Sequence, residues 1–188
     1  ASSQAPLREP SPPKTTSPSI RCRRRIWAAF RIAAGDLNFL DRAARRNVVQ
    51  KTGGPFAAAV FEMESGRLIS LGVNLVATQG SSLLHGETVA IAIAQKKLAT
   101  YDLGRGRARH ELVSSAEPCA MCFGAIPWSG IRRVITAATD ADVRSVGFDE
   151  GPKVADWQAA LAAKGIHTLT EVNREEARAV LNEYAQGG

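Results

Sequence analysis

His85-Gly86-Glu87 and, further along, Pro118-Cys119-Ala120-Met121-Cys122 are the two short stretches from which the fold is read. Each heads an apolar, helix-forming run, the first over roughly 85–99 and the second from Pro118 onward. Proline is favoured at a first helical position, where its missing N–H would lack a partner anyway. Two thiolates and one imidazole make three protein ligands for zinc. They leave the fourth tetrahedral position for water, the ligand count of a catalytic rather than a structural site. Helix starts suit this chemistry, because unpaired backbone N–H groups and the positive end of the dipole favour thiolates. Glu87, two residues after the imidazole, is placed to take a proton from that water without itself ligating.

Working outward, the motifs sit inside an alternation of strands and helices. Apolar residues Ile26, Phe30, Ala33, Leu37, Leu40 and Ala44 step by three or four, which predicts a helix to about Lys51. Gly53-Gly54-Pro55 breaks the chain. Strand-like runs Phe56–Glu62 and Leu68–Ala77 follow, joined by the turn-prone Glu64-Ser65-Gly66. Further strands are expected over His110–Ser114, Val134–Ala138 and Ile166–Val172, with a helix over Asp156–Lys164. Asn173 with Glu176 three residues on looks like a cap for a last helix reaching about Tyr184. Helices alternating with short apolar strands predict one layered α/β domain.

The longest apolar runs, Phe56–Phe61 and Val89–Ala94, are far too short to span a bilayer, and no Asn heads a glycosylation sequon. A cytoplasmic protein is therefore expected. The net charge is +6, but residues 1–46 hold ten Arg or Lys against three Asp or Glu, while residues 47–188 hold fourteen against fifteen. The near-neutral body lacks the basic footprint of a nucleic-acid binder. Residues 1–25, rich in Pro, Ser and Arg, are expected to be a disordered segment, either a targeting sequence or a dispensable extension. Residues 26–188 then form the zinc-dependent domain.

Taken alone, Cys119-x-x-Cys122 also fits a redox pair or half of a structural zinc site. A structural site needs a fourth ligand, for which His110, His167 and Cys22 offer no motif spacing. A redox pair leaves His85 and Glu87 unused. His110 and His167 lie in strand-like runs and read as ordinary, partly buried histidines. By average residue usage His-x-Glu arises in roughly one such chain in five and Pro-Cys-x-x-Cys in roughly one in several hundred. The second motif, and the order of the two, carry the specificity.

That order matches the signature of zinc deaminases. From about Gly53 onward the chain resembles the cytidine-deaminase-like superfamily, and within it the guanine deaminases of that fold. The resemblance rests on Gly53-Gly54-Pro55-Phe56, Asn74, His85-Gly86-Glu87, Pro118 to Ala125, Trp128 and Gly147-Phe148-Asp149-Glu150. It implies a three-layer fold, a central mixed sheet with helices on both faces, and a homodimer that exchanges C-terminal segments. It further implies zinc on His85, Cys119 and Cys122, Glu87 as proton carrier, and a purine base as substrate. Asn74 would hydrogen-bond the purine edge, Phe56 and Trp128 would wall the pocket, and Glu150 would be a second carboxylate on the substrate. From the residues alone, Phe56 also reads as a core aromatic, Trp128 as helix packing and Glu150 as a solvated loop carboxylate. A tRNA adenosine deaminase shares the Pro-Cys-x-x-Cys-x-x-Gly-Ala pattern, and a non-catalytic zinc-stabilised binding module would share the ligands without needing Glu87.

Two departures stand out. The superfamily usually has His-Ala-Glu, and Gly86 is expected to loosen the helix start by up to about 1 kcal/mol. Pro127 lies inside the second helix and is expected to end or kink it ahead of Trp128.

Overall fold

The computed structural model describes residues 31–106 and 108–187, with side chains from residue 37 on. The expected disorder of residues 1–25 lies outside these residues, as does the first helix before Arg31.

Five strands form one mixed sheet in the order β2-β1-β3-β4-β5. Strand β1 (Ala57–Glu62) pairs antiparallel with β2 (Leu68–Val73) through a hairpin, and antiparallel with β3 (His110–Ala116). Strands β3, β4 (Arg133–Ala138) and β5 (His167–Leu169) run parallel. Parallel neighbours need crossover connections, and helices supply them. Helix α1 (Arg31–Val49) precedes the sheet, α2 (Val76–Gln79) and α3 (Gly86–Lys97) follow β2, and α4 (Ala120–Ser129) joins β3 to β4. Helices α5 (Asp140–Ser145) and α6 (Trp157–Ala162) lie between β4 and β5, and α7 (Arg174–Ala185) closes the chain.

Side chains alternate across a strand. Ala58 and Val60, Leu112 and Val134 therefore share one face, where they join Ala90, Ile91 and Ala94 of α3, Ile126 of α4, and Trp157 and Leu161 of α6 in one buried cluster. Their neighbours Ala59, Val113 and Ile135 are equally buried and belong to the opposite face, and α7 packs against β4. Burial on both faces explains why β1 reads as a continuous apolar run rather than an alternating one, and β3 is buried throughout although His110, Glu111, Ser114 and Ser115 are polar. The expected three-layer mixed sheet is what the chain forms.

Three local expectations are corrected. The run Leu68–Ala77 ends as strand at Val73 and turns into α2, and the run Ile166–Val172 forms only a three-residue strand. Asn173 does not cap α7: it has φ 60° and no capping hydrogen bond, and its Nδ2 instead donates to Asn38 Oδ1 at 3.1 Å and Asp41 Oδ2 at 3.0 Å on α1. Tertiary contacts have outcompeted the local cap.

Candidate active site

The residues that precede β1 and follow β2 and β3 meet at one end of the sheet, because β1 runs antiparallel to both neighbours. That end lies beyond the carboxyl ends of the parallel strands, where α/β sheets place their ligands. Gly53 is required there. A Cβ on it would fall 1.9 Å from the Asn74 carbonyl oxygen, an impossible contact. Asn47 Nδ2 donates to the carbonyls of Gly54 (2.9 Å) and Asn74 (2.8 Å), tying α1 to this corner. Asn74 Oδ1 accepts from Gly54 N at 3.4 Å and Val76 N at 3.3 Å. The amide is thereby oriented, and its Nδ2 is the group left to donate to a ligand.

His85 occupies the position before α3 and Cys119 the position before α4, both in extended backbone. Helix α4 thus starts two residues later than the proline reading places it, with Cys119 rather than Pro118 at its boundary. The three candidate ligand atoms all lie within 4.8 Å of one another, and no other such group of three occurs among the described residues. His85 Nδ1 is 3.5 Å from Cys119 Sγ and 3.7 Å from Cys122 Sγ. Zinc bonds of about 2.3 Å to sulfur and about 2.05 Å to nitrogen at the tetrahedral angle imply an S···N edge of about 3.6 Å. The donor set therefore fits zinc, with Nδ1 as the imidazole's ligand atom. His110 and His167 are elsewhere: His110 is buried with Nδ1 2.8 Å from the Leu103 carbonyl, and His167 lies exposed on β5.

Charge in this corner is strongly coupled. A hydrogen bond from Cys122, then one from His85, lowers the Cys119 thiol to about 4 against the cost of burial. The same shared proton, with burial, pushes Cys122 upward. The contact with Cys119 raises His85. Glu87 is only 7% exposed, accepts from Ser114 Oγ at 3.3 Å, and lies 3.5 Å from Cys122 Sγ through Oε2. Burial, followed by the neighbouring Cys119 thiolate, raises its carboxyl above the ordinary range.

Gly86 has a steric role beyond the loosening expected from propensity. A Cβ there would lie 3.2 Å from Ala58 N and 3.3 Å from Ala57 Cα. The bare backbone lets α3 start hard against β1, between the imidazole and the carboxylate.

A cavity of about 310 Å³ opens over these groups. Phe56, Asn74, His85, Glu87, Cys119 and Glu150 all line it, so seven of the eight sequence-derived positions, counting the fully buried Cys122 beside them, come together. Trp128 does not: it is 85% exposed and forms no part of the wall. Helix α4 continues through Pro127 to Ser129 and buries Cys122, Ile126 and Ser129. Trp128 lies two residues from Ile126, about 200° around the helix, and so faces away.

The aromatic wall is instead Phe56, Phe148 and Tyr184. Phe56 meets Phe148 edge to face with centroids 4.8 Å apart, and Phe148 stacks on Tyr184 at 5.6 Å. Phe148 lies inside the Gly147–Glu150 segment that the resemblance had already marked. Tyr184, in the last turn of α7, carries no motif and is invisible to spacing arguments. Glu117, next to Pro118, also lines the cavity. Glu150 is 7% exposed, and burial, then the charges of Cys119 and Glu87, pushes its carboxyl up to about 7, with Lys153 opposing.

Comparisons with known proteins agree with this geometry. The sequence model of the cytidine and deoxycytidylate deaminase zinc-binding region matches residues 37–138. Guanine deaminase of Bacillus subtilis is 38% identical over 115 residues, 60% of this chain and 70% of that protein. A solved structure of guanine deaminase from Nitrosomonas europaea superposes with a TM-score of 0.78 at 46% identity, covering 80% of this chain and 82% of that one. A variant crystallised with 8-azaguanine gives a TM-score of 0.80 at 44% identity over 82% and 86% of the two chains. With the ligand set, the buried carboxylate and more than half the sequence in agreement, the chain belongs to the zinc-binding cytidine and deoxycytidylate deaminase family and is a zinc-dependent deaminase.

Proposed function

We propose that the chain converts guanine and water to xanthine and ammonia. The observation that carries this reading is the pairing, across one base-sized cavity, of the Asn74 amide donor with the Glu150 carboxylate acceptor between aromatic faces. A planar base needs apolar faces and a few fixed polar groups. His85, Cys119 and Cys122 would hold the zinc. When bound, it supplies a Lewis acid that brings the pKa of water near 7. Glu87 takes a proton from the water that attacks C2 of guanine and passes it to the neighbouring ring nitrogen. It then takes the proton of the new C2 hydroxyl and delivers it to the amine, so that the C2 carbonyl forms as the C2–N bond breaks and ammonia leaves. Its burial suits a group that must both accept and release a proton near neutrality. Asn74 donates to the purine edge, Phe56 stacks on the ring, and Glu150 accepts from guanine's ring N–H and exocyclic amine. The relatives described as guanine deaminases, and a similar solved structure bound to 8-azaguanine, support the same substrate.

Adenine presents a ring acceptor beside its amine, and the Glu150 carboxylate would meet a lone pair. A site that leaves buried polar groups unpaired rejects a near-isostere by up to around 10⁴. Guanine should therefore be turned over and adenine not. Glu150→Gln should lower turnover on guanine at least about tenfold while zinc content holds. A spectrophotometric assay of both bases with parent and variant decides the matter; equal activity of Glu150→Gln removes the guanine-specific half of the reading.

Two further parts follow from the same resemblance. The protein would work in the cytoplasm, where free thiols such as Cys119 and Cys122 stay reduced; among the described residues no helix is long and apolar enough to cross a membrane. It would also form a homodimer exchanging C-terminal segments. In the single chain α7 brings Tyr184 to its own cavity. An exchange would hand that wall to the partner copy, and light scattering on the purified protein tests it.

A further inference from the structure

Three residues beyond Glu150, the same loop carries Lys153, whose side chain is only 8% exposed. Its Nζ lies 3.2 Å from Glu117 Oε2 and 3.0 Å from Asp140 Oδ1, and 5.7 Å from the centroid of the Trp157 ring. Glu117 Oε2 also accepts from the Asp140 backbone N–H at 3.3 Å. One ammonium thus joins three pieces of chain: the loop after α5, the first residue of α5, and the turn between β3 and Cys119. Two backbone contacts run along the same seam. Ala120 N donates to the Glu150 carbonyl at 2.9 Å, and Arg144 Nη2 donates to the Gly151 carbonyl at 3.2 Å. Gly151 itself has φ 68°, and a Cβ on it would stand 3.2 Å from Ala120 Cβ.

A lysine on an enzyme's rim ordinarily leaves its ammonium in water, since burial disfavours the charged form. Here the ammonium is buried, donates a hydrogen bond to Glu117 and lies in ion-pair contact with Asp140. One of them, Glu117, lines the same cavity as Glu150. Removing one partner of a buried ion pair leaves the other charge uncompensated, so the loop should shift rather than tolerate it.

We infer that Lys153 is a positioning residue for the reaction: clamped between Glu117 and Asp140, it holds the loop that keeps the Glu150 carboxylate in the cavity wall. The inference rests on the reading that Glu150 touches the substrate. Lys153 contributes nothing to the reacting atoms directly. Its effect passes through Glu150, and that sets it apart from an ion pair that merely stabilises the fold.

The test is a double-mutant cycle on the zinc-loaded full chain, with kcat/KM on guanine as the readout. Lys153→Met should lower kcat/KM about tenfold with zinc content unchanged, whereas in a Glu150→Gln background the same substitution should cost less than about twofold, because the group it places is already disabled. Lys153→Gln keeps a donor for Glu117 and decides the question if the methionine variant does not fold. Additive losses in the cycle overturn the inference, and so does a lowered Tm with unchanged kcat/KM. The Glu150→Gln single variant separates the two failures. If it is impaired but the cycle is additive, only the role of Lys153 falls; if it is as active as the parent, the reading of Glu150 falls and the positioning role with it.

Discussion

Glu87 is the residue to which the proposed reaction assigns the proton transfers, and its surroundings define what a substitution would show. Its carboxylate is buried between Ser114 Oγ and Cys122 Sγ, one residue beyond Gly86 and two beyond the imidazole. Glu87→Gln keeps the volume and the hydrogen-bonding capacity but cannot accept a proton. Turnover on guanine should fall at least about a hundredfold, the low end for general acid–base catalysis. Zinc should remain at about one per chain, since the three ligands are untouched. Elemental analysis beside a rate assay checks both halves, and a variant with near-normal turnover removes Glu87 from the mechanism. At this scale the sequence was highly legible where chemistry demands a fixed spacing. His85, Cys119 and Cys122 could be read as a candidate ligand set, with Glu87 two residues beyond the imidazole, because such groups need a fixed spacing at a helix start, and the fold brings all four together. Tyr184 could not be read, because stacking needs only an aromatic somewhere on α7. Trp128 misled for the complementary reason: a conspicuous aromatic near a motif says nothing about which side of the helix it occupies.

At the scale of elements, the buried run Ala57–Glu62 was legible because its apolar content fixes it whatever its partners, and in His110–Ala116 only the Leu112-Val113 centre carries that signal. Strand ends were not, since β2 and β5 stop where pairing stops. The displaced cap at Asn173 shows the same competition and has an energetic consequence. Its amide donates to Asp41, a carboxylate 2% exposed whose other oxygen, Oδ1, has no hydrogen-bond partner. Burial, partly offset by Arg45, raises Asp41 to about 6. An unfolded Asp titrates near about 3.9, so the native state holds the extra proton between about pH 4 and pH 6. Its contribution is fully present below the unfolded value and is lost as pH rises through about 6. Above that, the folded protein carries a charge that α1 and α7 solvate poorly, a penalty of about 3 kcal/mol. Asp41→Asn keeps an acceptor for Asn173 and removes the charge. Relative to the parent, its Tm should rise progressively from about pH 4 to about pH 6 and level off above that. A thermal melt series over that range checks the sign; a Tm difference independent of pH would mean that Asp41 is not titrating there.

Across the whole molecule, charge is segregated, and the segregation bears on substrate size. The first 46 residues hold the positive excess, while the remainder is slightly acidic. Residues 1–19 are rich in Pro, Ser and Thr and poor in apolar groups. Deleting them should leave the Tm and the turnover on guanine nearly unchanged. A large loss of either would mean that the segment packs on the domain or on a partner copy. The same distribution separates a free-base enzyme from one acting on tRNA. Phosphate contacts dominate nucleic-acid affinity and require Lys or Arg around the catalytic opening. Around this cavity the charged residues are Glu87, Glu117, Asp149 and Glu150, with His85 as the one basic group. The ammonium of Lys153, on the same loop as Glu150, is already paired with Glu117 and Asp140. A polyanion approaching this opening would be repelled. A small uncharged base would not, and guanine brings N–H donors to the carboxylates. Excess tRNA at about 150 mM salt, where contacts between exposed charges are largely screened beyond about 8 Å, should therefore leave the rate on guanine within about twofold of its value without RNA. Because the deletion removes two of the ten basic residues ahead of position 47, the shortened chain should be still less sensitive. Competitive inhibition by tRNA in both forms, accompanied by inosine appearing in the RNA, would instead assign the zinc site to a nucleic-acid substrate.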